Sequence, residues 1–297
     1  MIQDISKKEI SFAGHDTFHL RYSWLPKAAD YLKNNNNHIS LSDYPKTMME
    51  LGVGKNMASS LRHWAESSTL FNKDNTGHTL SDLGKLLFEL DPYLEAPDTN
   101  WLLHYLISTN HKKNGLWFYL FNVFNEQVII KEEFIQSATN WFNDLGVKVN
   151  KNSIERDFQC LMNMYDSSKS KQKKPIESMF LSPFRELKLL AKVGDHYHLR
   201  SLSKPEISQP LFSFVLLDYL EKEDNQTSTP FIEILNGMKS PARVFQFTEI
   251  VLFDYLKNLN NHTKGFLFDT TAGMQQLIKN SNRKINHLKV LKRVYEK

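Results

Sequence analysis

The chain has 297 residues, 41% of them apolar and 24% charged, with a formal net charge of +4. That composition excludes disorder throughout, and the length favours two or three modules over one core. Its single cysteine, Cys160, excludes an internal disulfide and a cysteine-rich zinc site, while the mildly basic balance permits a polyanionic partner.

The longest apolar runs, Trp117 to Phe124 and Phe212 to Leu220, are shorter than the roughly 20 residues a membrane span needs. The charged start, Met1 to Ile10, lacks the apolar centre of a signal peptide. A cytoplasmic protein without membrane contact is expected.

A first module is expected over 1–129. Pro26 suits a first helical turn, and Ala28, Ala29 and Leu32 continue an apolar face. Asn34 to Asn37 ends that helix in a polar loop. Ser42 and Asp43 offer N-cap oxygens to a short helix ending near Leu51. Gly52-Val53-Gly54 is a sharp break, since glycine admits positive φ. A second helix follows from Lys55 to about Glu66, with Met57, Leu61, Trp64 and Ala65 on its apolar face. Leu70-Phe71-Asn72 and His78-Thr79-Leu80 flank a turn-rich loop and predict a β-hairpin. Ser81 then caps a helix through Leu83, Leu86, Leu87 and Leu90. Helix, turn, helix, hairpin is the layout of a winged helix.

The second module is expected over 130–203. Phe134, Ala138, Trp141, Phe142 and Leu145 form one helical stripe, and Ile154, Phe158, Leu161 and Met162 another. A Lys-rich loop follows, and Leu189 to Leu199 reads as a hairpin turning at Gly194-Asp195. The third module, 204–297, reads as helical. Pro205 opens a helix through Leu220, Thr229-Pro230 a short one, and Ser240-Pro241 a longer one through Leu256. A short strand at Phe266-Leu267-Phe268 precedes a helix from about Thr270 to Lys279. The fold class is therefore mainly α with small β-hairpins, as winged-helix modules in tandem. No fixed-period repeat is evident, so any kinship between modules would lie in the fold alone.

A helix fits the major groove, and its N-terminal backbone N–H groups favour phosphate. The helix from Lys55 is the candidate recognition element for double-stranded DNA. Lys55, Arg62 and Lys73 supply cations, while Asn56, Ser59, Ser60 and His63 supply hydrogen-bonding edges. The loop bearing Lys169, Lys171, Lys173 and Lys174 suits a flexible phosphate clamp or a solvated loop.

Several tempting motifs fail. Gly52-Val53-Gly54-Lys55-Asn56 lacks the first glycine and the hydroxyl after the lysine that a phosphate loop needs, so no nucleotide cofactor is expected. His15 and His19 imitate a zinc-protease pair, yet Gly14 argues against a continuous helix and Asp16 is one methylene short. Glu186-Leu187-Lys188 resembles the end of a restriction-nuclease motif without its upstream acid. Asp91 and Glu95 could share a metal, but Pro92 marks a turn with Asp91 as its cap.

Three segments belong together: Ser11 to Phe18 with Arg21 and Trp24, Glu50 to Met57 with Arg62 and Trp64, and Asp91 to Glu95 with Trp101 to His104. They resemble the domain-of-unknown-function family numbered four thousand and seven, although Asp16 stands where the family pattern carries Glu. Members accompany sulfur-transfer enzymes that place phosphorothioates in bacterial DNA. The resemblance implies sulfur-transfer and phosphorothioation proteins as partners, and a nick that opens the backbone for sulfur insertion. Such a nickase would use a divalent metal such as Mg2+. His15, Asp16 and Arg21 form a chemically consistent set for it, as base, metal ligand or orienter, and phosphate clamp. The competing reading of Gly14-His15-Asp16 is a buried hydrogen-bonded turn that fixes the N-terminal segment. A non-catalytic DNA-binding adaptor and a transcriptional regulator are alternatives, and a homodimer is compatible with each.

Overall fold

A computed structural model of the chain describes residues 10–168, 181–222, 227–279 and 285–296. The expected basic loop with Lys169, Lys171, Lys173 and Lys174 lies outside the described residues. Two compact units form. One takes the described residues up to Glu95 with Leu106–Leu120 and Phe124–Arg200, and the other takes Ala96–Tyr105, Phe121–Val123 and the described residues from Ser201.

Helices α1 (Trp24–Lys33), α2 (Tyr44–Leu51) and α3 (Lys55–Ser67) open the first unit. Asp43 caps α2 by accepting from Lys46 N, and Gly52 ends it at φ 64°. That left-handed turn is the reason for a glycine there. Strands β1 (Phe71–Lys73) and β2 (His78–Leu80) pair antiparallel, Phe71 opposite Leu80. Asp74 Oδ1 accepts from Thr76 and Gly77 N–H and shapes the turn between them. Ser81 caps α4 (Asp82–Leu90) through Gly84 N, as its sequence position predicts. Asp91 accepts from Glu95 N at 3.0 Å, so it closes a turn in the way Pro92 suggests.

Helices α5 (Pro97–Thr109) and α6 (Gly115–Asn122) follow, then β3 (Val128–Ile129), α7 (Lys131–Asp144) and α8 (Lys151–Tyr165). Strands β4 (Leu190–Val193) and β5 (His196–Leu199) make the expected hairpin, turning at Gly194 with φ 61°. In the first unit Trp64, Trp117, Phe118, Phe134 and Phe142 are fully buried.

The last third departs from expectation. The first helix there, α9 (Gln209–Lys222), begins after Pro205 rather than at it. Strand β6 (Ser228–Pro230) replaces the helix start at Thr229, and α10 (Phe231–Asn236) follows. The long helix from Ser240 divides into α11 (Pro241–Val244) and α12 (Glu249–His262), because Gln246 takes φ 58° and Thr248 N donates to Leu202 O instead of continuing a helix. The helix expected over 270–279 is a single turn at Thr271–Gly273 followed by strand β8 (Gln276–Lys279), paired with β7 (Phe266–Asp269). Gly273 at φ 76° breaks the helical path, and Leu277 is buried between half-buried Gln276 and Ile278 in strand alternation. A short helix, α13 (His287–Lys292), ends the described chain.

The described residues are mainly helical with small antiparallel sheets, and they repeat one order three times. A helix, a strand or bridge, two or three helices and a hairpin recur as α1–Ile39–α2–α3–β1–β2, as α6–β3–α7–α8–β4–β5, and as α9–β6–α10–α11–α12–β7–β8. Each time the early strand pairs with the last one: Ile39 with His78, β3 with β5, and β6 with β8. The repeat is one of topology, which explains its absence as a sequence period.

Candidate nucleic-acid interface

Residues 13–17 form a tight turn in which Ala13, Asp16 and Thr17 adopt φ of 57°, 43° and 68°. Non-glycine residues there carry strain, which the surroundings must offset. His15 supplies that support. Its Nδ1 accepts from Thr17 N at 3.1 Å, which leaves the hydrogen on Nε2 for Asp157 Oδ1 at 2.9 Å. Asp157, on α8, also accepts from Ala13 N at 2.7 Å. Burial pushes the Asp157 carboxyl above its usual pKa, against the pull of His15 and the Ala13 N–H. The His15 ring stacks on Trp64 with 5.9 Å between centroids.

His15 is 1% exposed and both ring nitrogens are engaged, so the expected general base cannot meet a water or a phosphate. The sequence set His15, Asp16 and Arg21 therefore separates. Asp16 is exposed at the turn, while half-buried Arg21 lies over the rings of Phe18 and Trp24 at 5.6 and 5.1 Å.

Helix α3 likewise divides. Lys55 and Asn56 are exposed on its first turn. Ser59 is half-buried and accepts from the Tyr44 hydroxyl at 3.4 Å. Arg62 points to Ser42 Oγ at 3.4 Å and lies over the Tyr44 ring. Ser60 and His63, expected at the DNA, are inside: Ser60 Oγ donates to Phe18 O, and His63 Nε2 pairs with Asn114 Oδ1 at 3.0 Å. The cause is the N-terminal segment, which covers this side of α3 and also takes the Trp64 Nε1–H on Phe18 O. Burial, with His15 and Lys113 nearby, lowers the His63 pKa to about 3 despite the Asn114 hydrogen bond. Lys73 sits 3.3 Å from Glu66, which also holds His78 at 3.1 Å and pairs with Lys113. Burial alone would raise the Glu66 pKa; His78, Lys113 and Lys73 outweigh it and hold the carboxylate ionised.

Two concave regions lie in the same unit. One, of about 490 Å³, is lined by Tyr22, Ser23, Lys27, Asp30, Tyr93, Glu95 and Glu186, with the Tyr22 hydroxyl bonded to Glu186. It unites Glu95 and Glu186 from two sequence motifs that looked unrelated. The other, of about 450 Å³, is lined by Thr17, Lys131, Asn152, Glu155, Arg156, Gln159 and Cys160. The apolar stripe of α8 dominates its sequence pattern and masks this polar face. The spacing of Asn152, Arg156 and Gln159, at i, i+4 and i+7, was the available signal.

These features define a mainly helical protein with small sheets and a polar, cation-bearing face in its first unit. The family model described as "Protein of unknown function (DUF4007)" matches residues 12–295, and the chain belongs to that family. Two solved structures are similar in fold. "SspB crystal structure" shares 24% identity at a TM-score of 0.83, and "Magnesium ion-bound SspB crystal structure" shares 23% at 0.82. Each alignment covers 96% of this chain and 88% of the other. No curated protein matches.

Proposed function

We propose that this chain is a duplex-DNA-binding protein of a DNA phosphorothioation system, and that its repeated units are winged helices. The carrying observation is the thrice-repeated order of helix, strand, helices and hairpin, with the early strand paired to the hairpin's last strand. In such a unit the helix before the hairpin enters the major groove and the hairpin follows the backbone. The first turn of that helix is polar and exposed in two of the repeats, with Lys55 and Asn56 on α3 and Lys151 and Asn152 on α8. The family membership and the fold shared with SspB support the phosphorothioation setting, and the sulfur-transfer proteins of that setting are the partners this reading supplies.

Strand nicking is the activity this family implies, with Mg2+ suggested by the magnesium-bound SspB structure. Mg2+ takes oxygen ligands in a near-ideal octahedron. Among the described residues no three His, Cys, Asp or Glu side chains converge to hold a metal ion, so the residues present do not form a ready magnesium site. The enclosure of His15 favours a second reading, a DNA-binding adaptor that presents duplex to a catalytic partner.

One experiment separates the two. Purified protein is incubated with supercoiled plasmid, with and without Mg2+. Metal-dependent open-circular product that a point variant abolishes establishes the nickase. Retarded but intact supercoiled plasmid establishes the adaptor. Plasmid neither retarded nor cut overturns both.

A further inference from the structure

The helices in the position of α3 differ in what they present to solvent. In α3, Arg62 is turned to Ser42 and Tyr44, and Ser60 and His63 are inside. In α12, the exposed residues of the first two turns are Glu249, Ile250 and Asp254, an acidic and apolar set that would repel phosphate. In α8, Lys151, Asn152, Arg156 and Gln159 are exposed. Lys131, exposed at the start of α7, faces the same groove as Arg156, and Glu155 is the carboxylate among the lining residues. Among the described residues neither Lys131 nor Arg156 enters an ion pair, so both charges are available to a polyanion.

We propose that α8, rather than α3, is the helix laid against duplex DNA, with Lys131 and Arg156 holding the phosphodiester backbone. This rests on the DNA-binding reading above. The amides of Asn152 and Gln159 are of the type that pairs with adenine, and the Glu155 carboxylate accepts from the cytosine amino group, so one face carries both backbone and base contacts. Thr17 brings the N-terminal turn to the groove. Asp157, next in sequence to Arg156, holds that turn through His15 and Ala13 N. The buried pair is thus a positioning device for one wall of the groove.

The test measures binding of a mixed-sequence duplex to the full chain by fluorescence anisotropy across a salt series. Each phosphate contact contributes about 0.9 to the slope of log affinity against log salt. Lys131→Ala and Arg156→Ala are expected to shallow the slope by about 0.9 each, and the double variant by about 1.8. Arg156→Lys keeps the charge and is expected to restore the slope. The control Lys85→Ala, whose partner is Asp82 on the exposed side of α4, is expected to leave it unchanged. Wild-type slopes in Lys131→Ala and Arg156→Ala, or an equal change in Lys85→Ala, overturn the assignment to α8 while DNA binding stands. Failure of the wild type to bind duplex at low salt overturns both.

Discussion

His15 donates its Nε2 hydrogen to Asp157 Oδ1 across 2.9 Å, and both side chains are buried. The bond joins residues far apart in sequence and ties the N-terminal turn to α8. Removing one member of a buried pair leaves the other uncompensated, which costs about 3–5 kcal/mol. His15→Ala is therefore expected to lower stability by roughly 3 kcal/mol. Urea unfolding followed by tryptophan fluorescence reads this directly, since Trp64 and Trp117 contact the His15 ring. Asp157→Asn keeps an acceptor and should lose less. A His15→Ala protein as stable as wild type would contradict a structural role.

Gly14 is exposed, yet a β-carbon there would lie 2.6 Å from His63 Nδ1. His63 is fixed by Asn114 and cannot retreat cheaply. Gly14→Ala is expected to cost about 1–3 kcal/mol, the range for forced overpacking. Gly54→Ala meets nothing within 4 Å and serves as the tolerant comparison. Equal melting temperatures for the two variants would refute this packing.

Stability should fall with acid below neutrality. His63 and His104 are buried, and burial lowers each pKa to about 3, although His104 Nε2 bonds Val244 O. Both stay neutral in the fold while the unfolded chain takes up protons below its ordinary histidine pKa near 6.5. The unfolded state thus binds more protons between about pH 6.5 and 3, and stability drops by up to about 1.4 kcal/mol per pH unit per histidine. Glu66, held ionised by its cations, adds to the loss at the acid end. Asp157 acts in the opposite sense, because its raised pKa favours the fold as it protonates. Urea midpoints measured from pH 7 to 4 should decline; constant midpoints would contradict neutral buried histidines.

Ser60 separates packing from recognition. Its hydroxyl donates to Phe18 O beside the Trp64 indole N–H. Ser60→Ala is expected to cost about 1 kcal/mol, a typical single hydrogen bond. Duplex affinity, measured where the variant is fully folded, should match wild type. A selective loss of affinity would return Ser60 to the DNA face.

Much of the first unit was legible from sequence because local chemistry fixed it. Asp43, Gly52, Ser81, Asp91 and Gly194 each perform the cap or turn their identity suggests. The last unit was less legible. Gln276 to Lys279 has weak alternation, and its strand character comes from partners β6 and β7. The site was legible by residue type but not by exposure. Periodicity places Ser60 and His63 on the polar side of α3, and nothing local to that helix shows that residues 13–18 cover it. The Gly14-His15-Asp16 motif admits both a catalytic and a buried-turn reading; the bonds of Asp157 to His15 and Ala13 N favour the buried turn, and no local feature of the motif points to a partner so distant in sequence.

Attraction between this chain and duplex DNA underlies every role proposed for it. Equilibrium binding of the wild-type protein to a duplex, titrated from low to physiological salt, tests it most directly. Measurable affinity whose logarithm falls linearly as log salt rises is the predicted result. No binding at low salt, or an affinity indifferent to salt, would contradict it.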